Sequence, residues 1–346
     1  MVGELKISQV MEMEEAVFFD LRSPVEFQCG SIPGAYNVPL FDDQQRRELG
    51  IIYHKEGPGQ ASLRGLEIAA SRLPQIVRKI LDRSAGRTPV LYCWRGGLRS
   101  RSVVTALRLM NIEAWQLAGG YKAFRRFIFR QLKEYNFQGQ RIYVIHGLTG
   151  VGKTRIVQSL AADGCPAIDL EGLANHRGSV FGHIGMGEKV TQKDFEARLY
   201  MKLRQYQDFP YLIVEGEGKR IGALFLPQAL VSAMQEGEHL LVEAPLDKRV
   251  QNILEDYNAL ETDIDAAEIK RAIESISRRL RKKTVAELYQ CLEKRDLAQV
   301  VRILCTDYYD RLYNDSKPEK HHFSAVFVAA DHRQAAEEIK NYLGCK

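Results

Sequence analysis

Residues 141–160, RIYVIHGLTGVGKTRIVQSL, decide the fold of the second half of the chain. The apolar run from Arg141 to His146 predicts a buried strand, and a helical pattern begins at Lys153. Between them lies a glycine-rich loop whose backbone amides can approach phosphate oxygens. We expect Lys153 to bridge phosphate groups and Thr154 to ligate Mg²⁺. The predicted phosphate-binding residues are Gly147, Gly150, Gly152, Lys153 and Thr154.

The sequence beyond this loop continues the alternation of strands and helices. Further strands are predicted at residues 166–169, 211–215, 239–243 and 323–328. Asp169 and Glu215 end two of these strands, where each is either an acidic partner of the loop or only a cap or ion-pair residue. The motif predicts phosphate binding, but it does not decide between ATP and a diphosphate as the ligand.

A polar, glycine-rich segment, residues 175–183, lies between two of the predicted strands. His176, Arg177 and Ser179 in this segment are candidate contacts to a phosphate or a base. The same composition is typical of a solvated loop, so both interpretations stay open.

A second loop with anion-binding character lies in the first half of the chain. The run Val90-Leu91-Tyr92 predicts a strand that leads directly into Cys93-Trp94-Arg95-Gly96-Gly97-Leu98-Arg99, and a helix is predicted over 101–110. Loop amides, the helix dipole and nearby arginines stabilise a thiolate. We therefore expect Cys93 to be a nucleophile rather than a structural cysteine, in a loop that holds an oxyanion, a persulfide or a perselenide. The predicted anion-loop residues are Arg95, Gly96, Gly97 and Arg99.

The two loops predict two α/β domains, each built on a parallel sheet. Strands at 16–20 and 113–117 accompany the strand before Cys93, and a basic aromatic helix over 121–135 joins the halves. We place a domain with the thiol loop at residues 1–137 and a P-loop NTPase-like domain at 138–346.

Composition narrows the class of protein further. No stretch approaches the ~20 apolar residues of a membrane span, and the N-terminus lacks an apolar signal core. The six cysteines are scattered and never form CxxC, which argues against a zinc site or a disulfide framework. These features predict a cytoplasmic protein with no membrane association.

Basic charge is unevenly distributed along the chain. Residues 1–138 hold 20 Lys and Arg against 14 Asp and Glu, whereas the remainder holds 29 against 30. A basic surface suits a polyanion such as RNA. A second basic run, near residue 280, is either a solvated helix face or a phosphate-backbone contact. The candidate contacts in that run are Arg278, Arg279, Arg281, Lys282 and Lys283.

Three segments of the first half resemble the rhodanese family of sulfurtransferases. They are DLRSPVEF at 20–27, GSIPGAYNVPL at 30–40 and LAGGY at 117–121. The resemblance implies that Cys93 is the nucleophile that carries a chalcogen. Five residues separate Cys93 from Arg99, one more than in many sulfurtransferases, and this wider spacing is also typical of cysteine phosphatases. Tyr92 stands where phosphatases usually have histidine.

Taken together, residues 20–27, 93–102, 147–154 and 176–182 resemble the bacterial tRNA 2-selenouridine synthases over nearly the whole chain. The resemblance implies that sulfur in wobble 2-thiouridine of tRNA is replaced by selenium from selenophosphate. It also implies a transfer of the geranyl group from geranyl diphosphate to that sulfur, which turns the sulfur into a better leaving group. The implied partners are tRNA with wobble 2-thiouridine and the enzyme that produces selenophosphate.

Two other classes of function stay open at this point. One is a rhodanese-fold cysteine phosphatase or sulfurtransferase coupled to a P-loop kinase domain. The other is a non-enzymatic RNA-binding protein controlled by a nucleotide.

Overall fold

A computed structural model describes residues 3–179, 181–182, 187, 189–258, 266–316, 322–328 and 331–344. The chain divides into two compact units. The first comprises Met1–Lys133 and Thr191–Tyr200, and the second comprises Glu134–Val190 and Met201–Lys346. The boundary predicted after residue 137 lies close to the first of these divisions. The assignment of residues 191–200 to the first unit was not predicted from the sequence.

The first unit is a five-stranded parallel sheet covered by helices. Its strands lie in the order β1-β5-β4-β2-β3. Its elements are β1 (Glu4–Leu5), α1 (Ile7–Val10), β2 (Ala16–Asp20), α2 (Pro24–Gln28), β3 (Tyr36–Asn37), α3 (Asp43–Lys55), α4 (Pro58–Ser84), β4 (Thr88–Tyr92), α5 (Leu98–Leu109), β5 (Trp115–Leu117) and α6 (Gly120–Lys133). Cys93 therefore follows the central strand, at the carboxyl edge where parallel sheets bind ligands.

The strands of the first unit are short apolar runs because both faces of the sheet are buried. Phe19 and Leu91, on neighbouring strands, are fully buried and pack in one cluster with Leu107 of α5. This packing fixes the end of β4 and the start of α5, and with them the loop that contains Cys93.

The second unit is also built on a five-stranded parallel sheet, in the order β12-β11-β6-β8-β7. Its elements are β6 (Arg141–His146), α7 (Lys153–Ala162), β7 (Ala167–Ile168), α8 (Leu170–Ala174), α9 (Gln192–Gln205, whose first residues belong to the first unit), β8 (Tyr211–Glu215), β9 (Arg220–Ile221), β10 (Leu224–Phe225), α10 (Gln228–Glu236), β11 (Glu238–Glu243), α11 (Leu246–Asn258), α12 (Ala266–Ile276), a 3₁₀ turn (Ser277–Arg279), α13 (Lys282–Glu293), α14 (Leu297–Leu304), a π-helix (Cys305–Tyr309), α15 (Asp310–Ser316), β12 (Phe323–Val328) and α16 (His332–Leu343). Strands β9 and β10 form a small antiparallel hairpin.

The phosphate loop follows β6, the central strand of the second sheet, as the sequence predicts. Residues of β6, α7, β11 and α16 form the core around this sheet. A separate apolar cluster holds helices α12 to α14 and the π-helix together. Among the described residues, no helix is both long enough and apolar enough to cross a membrane.

Candidate active sites

Cys93 lies at the base of its loop, with 3% of its surface exposed. The backbone N–H of Gly97 donates to Sγ at 3.2 Å, and the Ser100 hydroxyl lies 3.3 Å from the same sulfur. Helix α5 begins immediately afterwards, at Leu98. A hydrogen-bond donor and a helix N-terminus at the sulfur both favour a bound anion at this position.

Side chains and backbone from elsewhere in the first unit hold the thiol loop in place. The buried Gln116 side chain donates to the carbonyl of Gly96 at 2.6 Å and to Ser100 Oγ at 2.9 Å. Gly96 has a φ of +65°, and a Cβ at this position would lie 2.9 Å from the backbone of Leu117 and Gly119. Only glycine fits this left-handed, closely packed position without strain.

Positive charge around Cys93 is smaller than the sequence suggests, because two of the nearby arginines have acidic partners. Arg99 donates to Glu26 at 2.7 Å, and Arg101 pairs with Glu4 at 3.4 Å. Burial alone would raise the pKa of Glu26, but the hydrogen bond and charge of Arg99 hold that pKa below its ordinary value. Arg95 is exposed and has no acidic partner among the described residues.

Three glycines of the phosphate loop have positive φ angles, which other residues rarely adopt. Gly147, Gly150 and Gly152 all have positive φ, at +158°, +86° and +90°. A Cβ on Gly147 would lie 2.6 Å from the carbonyl oxygen of Val242, and one on Gly150 would lie 2.8 Å from that of Arg249. These positions therefore require glycine for steric reasons as well as for φ.

Two polar side chains of α11 fix the phosphate loop through its carbonyl groups. The buried Arg249 donates from Nε to the Thr149 carbonyl at 2.8 Å, and its Nη atoms pair with Asp310 at 2.6 and 3.0 Å. Asn252 donates to the Gly150 carbonyl at 2.9 Å. Lys153 Nζ donates to the Gly147 carbonyl at 3.0 Å. Hydrogen bonds from Arg249, Asn252 and Lys153 to loop carbonyl groups thus hold the conformation of the phosphate loop.

Three glutamates cluster beside Lys153 and Thr154. The Thr154 hydroxyl donates to Glu171 at 2.9 Å, and the Glu171 backbone N–H donates to Glu215 at 3.0 Å. Burial, helped by the charge of Asp169, raises the pKa of Glu215 to about 8. Burial also raises the pKa of Glu171 well above its ordinary value, with the charge of Glu217 adding to it.

Burial likewise raises the pKa of Glu217, against the opposing charge of Lys153. Burial thus disfavours the ionised form of all three carboxyl groups.

A cavity of about 770 Å³ opens beside the phosphate loop, and its lining is of two kinds. The phosphate loop, α7, α8 and the loop after β8 supply the polar part, which includes Gly150, Lys153, Glu171 and Glu217. Helices α11, α12, α14 and α15 and the π-helix supply the apolar part. Its members include Ile253, Leu254, Ile269, Val300, Val301, Leu304, Tyr309, Leu312 and Tyr313. The cavity can therefore hold a ligand with an anionic head and an apolar tail.

The other predicted site residues of the second unit fall into two groups. His176, Arg177 and Ser179 line the same cavity as Lys153 and Thr154. Arg177 donates to the Asp256 carbonyl at 3.1 Å and stacks over Tyr257 at 4.8 Å.

Asp169 and Glu215 lie next to α8 and Glu171 and contact these residues rather than lining the cavity. Asp169 caps α8 by accepting from Gly172 N–H at 2.6 Å, and Glu215 is fully buried behind Glu171. The sequence did not single out Glu171, Arg249 or Asn252, whose partners are known only from the fold.

The structure bears differently on the predicted Mg²⁺ ligand and on the basic run near residue 280. In the part of the chain that the structure describes, no group of three or more His, Cys, Asp or Glu side chains is arranged to hold a metal ion. Mg²⁺ at Thr154 therefore remains a prediction.

The five basic residues near position 280 are exposed and lie in the 3₁₀ turn and first turn of α13, not along a helix face.

Comparison with known proteins assigns both halves of the chain. A model of the rhodanese-like domain matches residues 6–127, and a model described as the tRNA 2-selenouridine synthase AAA domain matches residues 140–344. The chain is thus a rhodanese-like domain followed by a P-loop AAA domain, which confirms the predicted fold class.

Curated relatives extend the match to almost the whole chain. Proteins named tRNA 2-selenouridine synthase from Hydrogenovibrio crunogenus and Sulfurovum sp. are 34% and 32% identical to it. The first match covers 87% of this chain and 89% of the relative, and the second covers 94% and 93%. One of the same name from Marinobacter nauticus is 33% identical, over 89% of this chain and 90% of the relative. The chain belongs to the tRNA 2-selenouridine synthase family.

Proposed function

We propose that this protein replaces sulfur by selenium in wobble 2-thiouridine of tRNA in two chemical steps. The first step transfers a geranyl group from geranyl diphosphate to the sulfur, at the phosphate loop. The second step replaces the alkylated sulfur with selenium from selenophosphate, at Cys93. Membership of the family supports a tRNA-modifying activity. The single observation that favours two steps is the cavity that joins an anion-binding loop to an apolar wall.

The cavity lining favours a diphosphate with a hydrocarbon chain over a nucleotide. A nucleotide needs hydrogen-bonding partners for its ribose and base. The wall formed by α11, α12, α14 and α15 instead supplies aliphatic and aromatic side chains, which stabilise a hydrocarbon by burial. The loop amides and Lys153 would bind the diphosphate at the polar end. We therefore propose geranyl diphosphate, not ATP, as the ligand of this cavity.

The charges at the phosphate loop suit the first step. The thiocarbonyl sulfur forms a bond to C1 of the geranyl group, the bond from C1 to the diphosphate oxygen breaks, and the base loses its N3 proton. Lys153 and the loop amides stabilise the departing diphosphate, because they lie where its negative charge develops. If Mg²⁺ takes part, its protein ligands would be Thr154 and Glu171, with diphosphate oxygens supplying others.

The thiol loop suits the second step. A thioether at C2 is a better leaving group than a thiocarbonyl, so the selenium of selenophosphate can add to C2 and expel geranylthiolate. Attack by Cys93 at phosphorus then breaks the Se–P bond, and water releases phosphate from the cysteine. The Gly97 amide, the start of α5 and the unpaired Arg95 would hold the phosphate group of selenophosphate at Cys93. The enzyme that produces selenophosphate is the proposed donor partner, and the proposed compartment is the cytoplasm.

Phosphates of the tRNA are proposed to contact the basic run near position 280. Lys282 and Lys283 lie in the first turn of α13, where the helix dipole disfavours positive charge. None of the five basic residues has an acidic partner among the described residues. An unfavourable and unpaired cationic cluster indicates a site for an external anion, and the RNA backbone is the anion that we propose.

Mass analysis of wobble nucleosides tests the proposal. The protein is incubated with 2-thiouridine tRNA and each donor alone, and then with both donors. We expect S-geranyl-2-thiouridine with geranyl diphosphate alone and 2-selenouridine with both donors. Cys93→Ser should still geranylate but should form no selenouridine, because a hydroxyl at neutral pH is not a soft nucleophile. Turnover of an aryl phosphate without any nucleoside product would support the phosphatase alternative instead.

A further inference from the structure

The residue after the nucleophile, Trp94, places an indole ring on the surface of the thiol loop. Its side chain is 38% exposed, while its neighbours Tyr92 and Cys93 are buried. Trp94 is thus the aromatic side chain on this loop that an incoming substrate can touch.

The backbone that carries Trp94 is rigid. The N–H of Lys122 donates to the Trp94 carbonyl at 3.0 Å, and the N–H of Tyr121 donates to the Cys93 carbonyl at 2.9 Å. Gly120, with a φ of +55°, lets the start of α6 approach so closely that a Cβ there would collide with the Cys93 carbonyl. The backbone that joins Trp94 to Cys93 is therefore fixed, so little backbone entropy is lost when a ligand binds here.

The protein covers part of the indole and leaves the rest open. The Tyr121 ring lies 5.8 Å from the indole at an interplanar angle of 43°. The Arg22 guanidinium lies over the indole at 5.9 Å and is held by a 2.6 Å ion pair with Asp20. These contacts cover part of the indole, and the exposed part is an apolar aromatic surface that a planar ligand can contact.

The neighbouring charge indicates what kind of planar ligand fits. Arg95 is exposed beside Trp94 and has no acidic partner among the described residues. An aromatic face next to a free guanidinium suits a nucleotide in single-stranded RNA, whose base stacks and whose phosphate pairs with the cation. Selenophosphate held at Cys93 can reach C2 of a pyrimidine only after that base has left its own stack.

We infer that Trp94 stacks on the wobble pyrimidine and presents its C2 to Cys93, an inference that rests on the proposed function. Trp94→Ala should lower kcat/KM for selenation by roughly 5- to 150-fold, the range for loss of one base–aromatic stack. Trp94→Phe, which keeps an aromatic face, should recover most of that loss. Affinity for tRNA should change less than kcat/KM, because most of the affinity comes from phosphate contacts.

The two tryptophans of the chain allow a direct test by fluorescence. Trp115→Phe leaves Trp94 as the sole tryptophan, and this single-tryptophan protein should keep its activity because Trp115 packs on Arg108. It is titrated with an anticodon stem-loop that carries 2-thiouridine at the wobble position, and with the same RNA abasic at that position. Binding of both RNAs is followed independently by the anisotropy of a label on the RNA.

We expect the 2-thiouridine RNA to quench Trp94 emission and the abasic RNA to bind without equal quenching. Equal emission changes with the two RNAs, together with normal selenation by Trp94→Ala, would overturn the inference and leave the proposed function intact. Absence of any selenouridine with the unsubstituted protein would overturn the proposed function, and the stacking inference with it.

Discussion

Glu215→Gln should make the second unit more stable at alkaline pH. Glu215 ends β8 and is fully buried. Its Oε2 accepts from the Glu171 N–H at 3.0 Å, while Oε1 has no hydrogen-bond partner among the described residues. Glutamine has the same shape and can keep the bond to Glu171, but it cannot ionise. The substitution therefore removes a buried negative charge and little else.

The size and sign of the effect follow from the raised pKa. The change from the ordinary 4.5 to about 8 corresponds to about 5 kcal/mol, at ~1.4 kcal/mol for each unit of pKa. Because the folded-state pKa is the higher one, the stabilisation from the protonated group is complete below pH 4.5 and is lost as pH rises through 8. Glu171 and Glu217 keep part of the pH dependence, so we expect Glu215→Gln to gain ~2–4 kcal/mol at pH 9 and close to nothing at pH 4.5.

Chemical unfolding of the full-length protein between pH 4.5 and 9 measures this difference. Both tryptophans lie in the first unit, so their emission reports that unit. Far-UV circular dichroism also includes the second unit. Glu236→Gln, which removes an exposed carboxylate from α10 of the second unit, is the matched control. A stability difference that does not change with pH, or a variant less stable than the wild type at pH 9, would refute the argument.

Three further predictions concern the loop geometry and the RNA contact. Gly150→Ala should abolish diphosphate binding and should lower stability in calorimetry more than Gly164→Ala does. Both glycines have a φ of +86°, but nothing lies within 4 Å of a Cβ on Gly164. Equal losses of stability would mean that backbone strain alone, and not the steric clash at Gly150, causes the effect. Arg249→Met should destabilise the second unit by ~2–4 kcal/mol in urea and weaken diphosphate binding, since it leaves Asp310 and the Thr149 carbonyl unpaired. Arg302→Met, at an exposed pair with Asp247, should cost less than ~1 kcal/mol, and equal costs would contradict the role of Arg249. Replacing Arg278, Arg279 and Arg281 with Ala should lower the slope of log affinity for tRNA against log salt by roughly 2–3. Arg333→Ala, which removes another exposed cation, is the control and should leave the slope unchanged. If the triple variant also leaves the slope unchanged, the basic run does not contact the RNA.

The sequence predicts the two sheets well because their strands are local apolar runs. The bounds predicted for β2, β6, β8 and β12 are those of the structure. A strand that is buried on both faces must be apolar throughout, and it ends where polar or glycine residues begin the functional loop. The same local pattern locates Cys93 and the phosphate loop, since each directly follows a central strand.

The contacts that shape the two loops could not be predicted in this way. Arg99 and its partner Glu26 are 73 residues apart, and Arg249 and the Thr149 carbonyl are 100 residues apart. Pairings over such distances depend on how helices pack on the sheet, and no local pattern in one sequence specifies them. The apolar wall of the cavity likewise combines helices α11, α12, α14 and α15. Their amphipathic sequences indicate that one face is buried but not which partner covers it.

The separation of the two steps between the two loops is tested most directly with a preformed intermediate. tRNA that already carries S-geranyl-2-thiouridine is given to Lys153→Ala together with selenophosphate, and the wobble nucleoside is analysed by mass spectrometry. Our account predicts that Lys153→Ala forms selenouridine from this tRNA at close to the wild-type rate, although it fails with 2-thiouridine tRNA and both donors. Failure of Lys153→Ala on the preformed intermediate, or normal geranylation combined with failed selenation, would show that the phosphate loop serves the selenium step and would contradict the assignment.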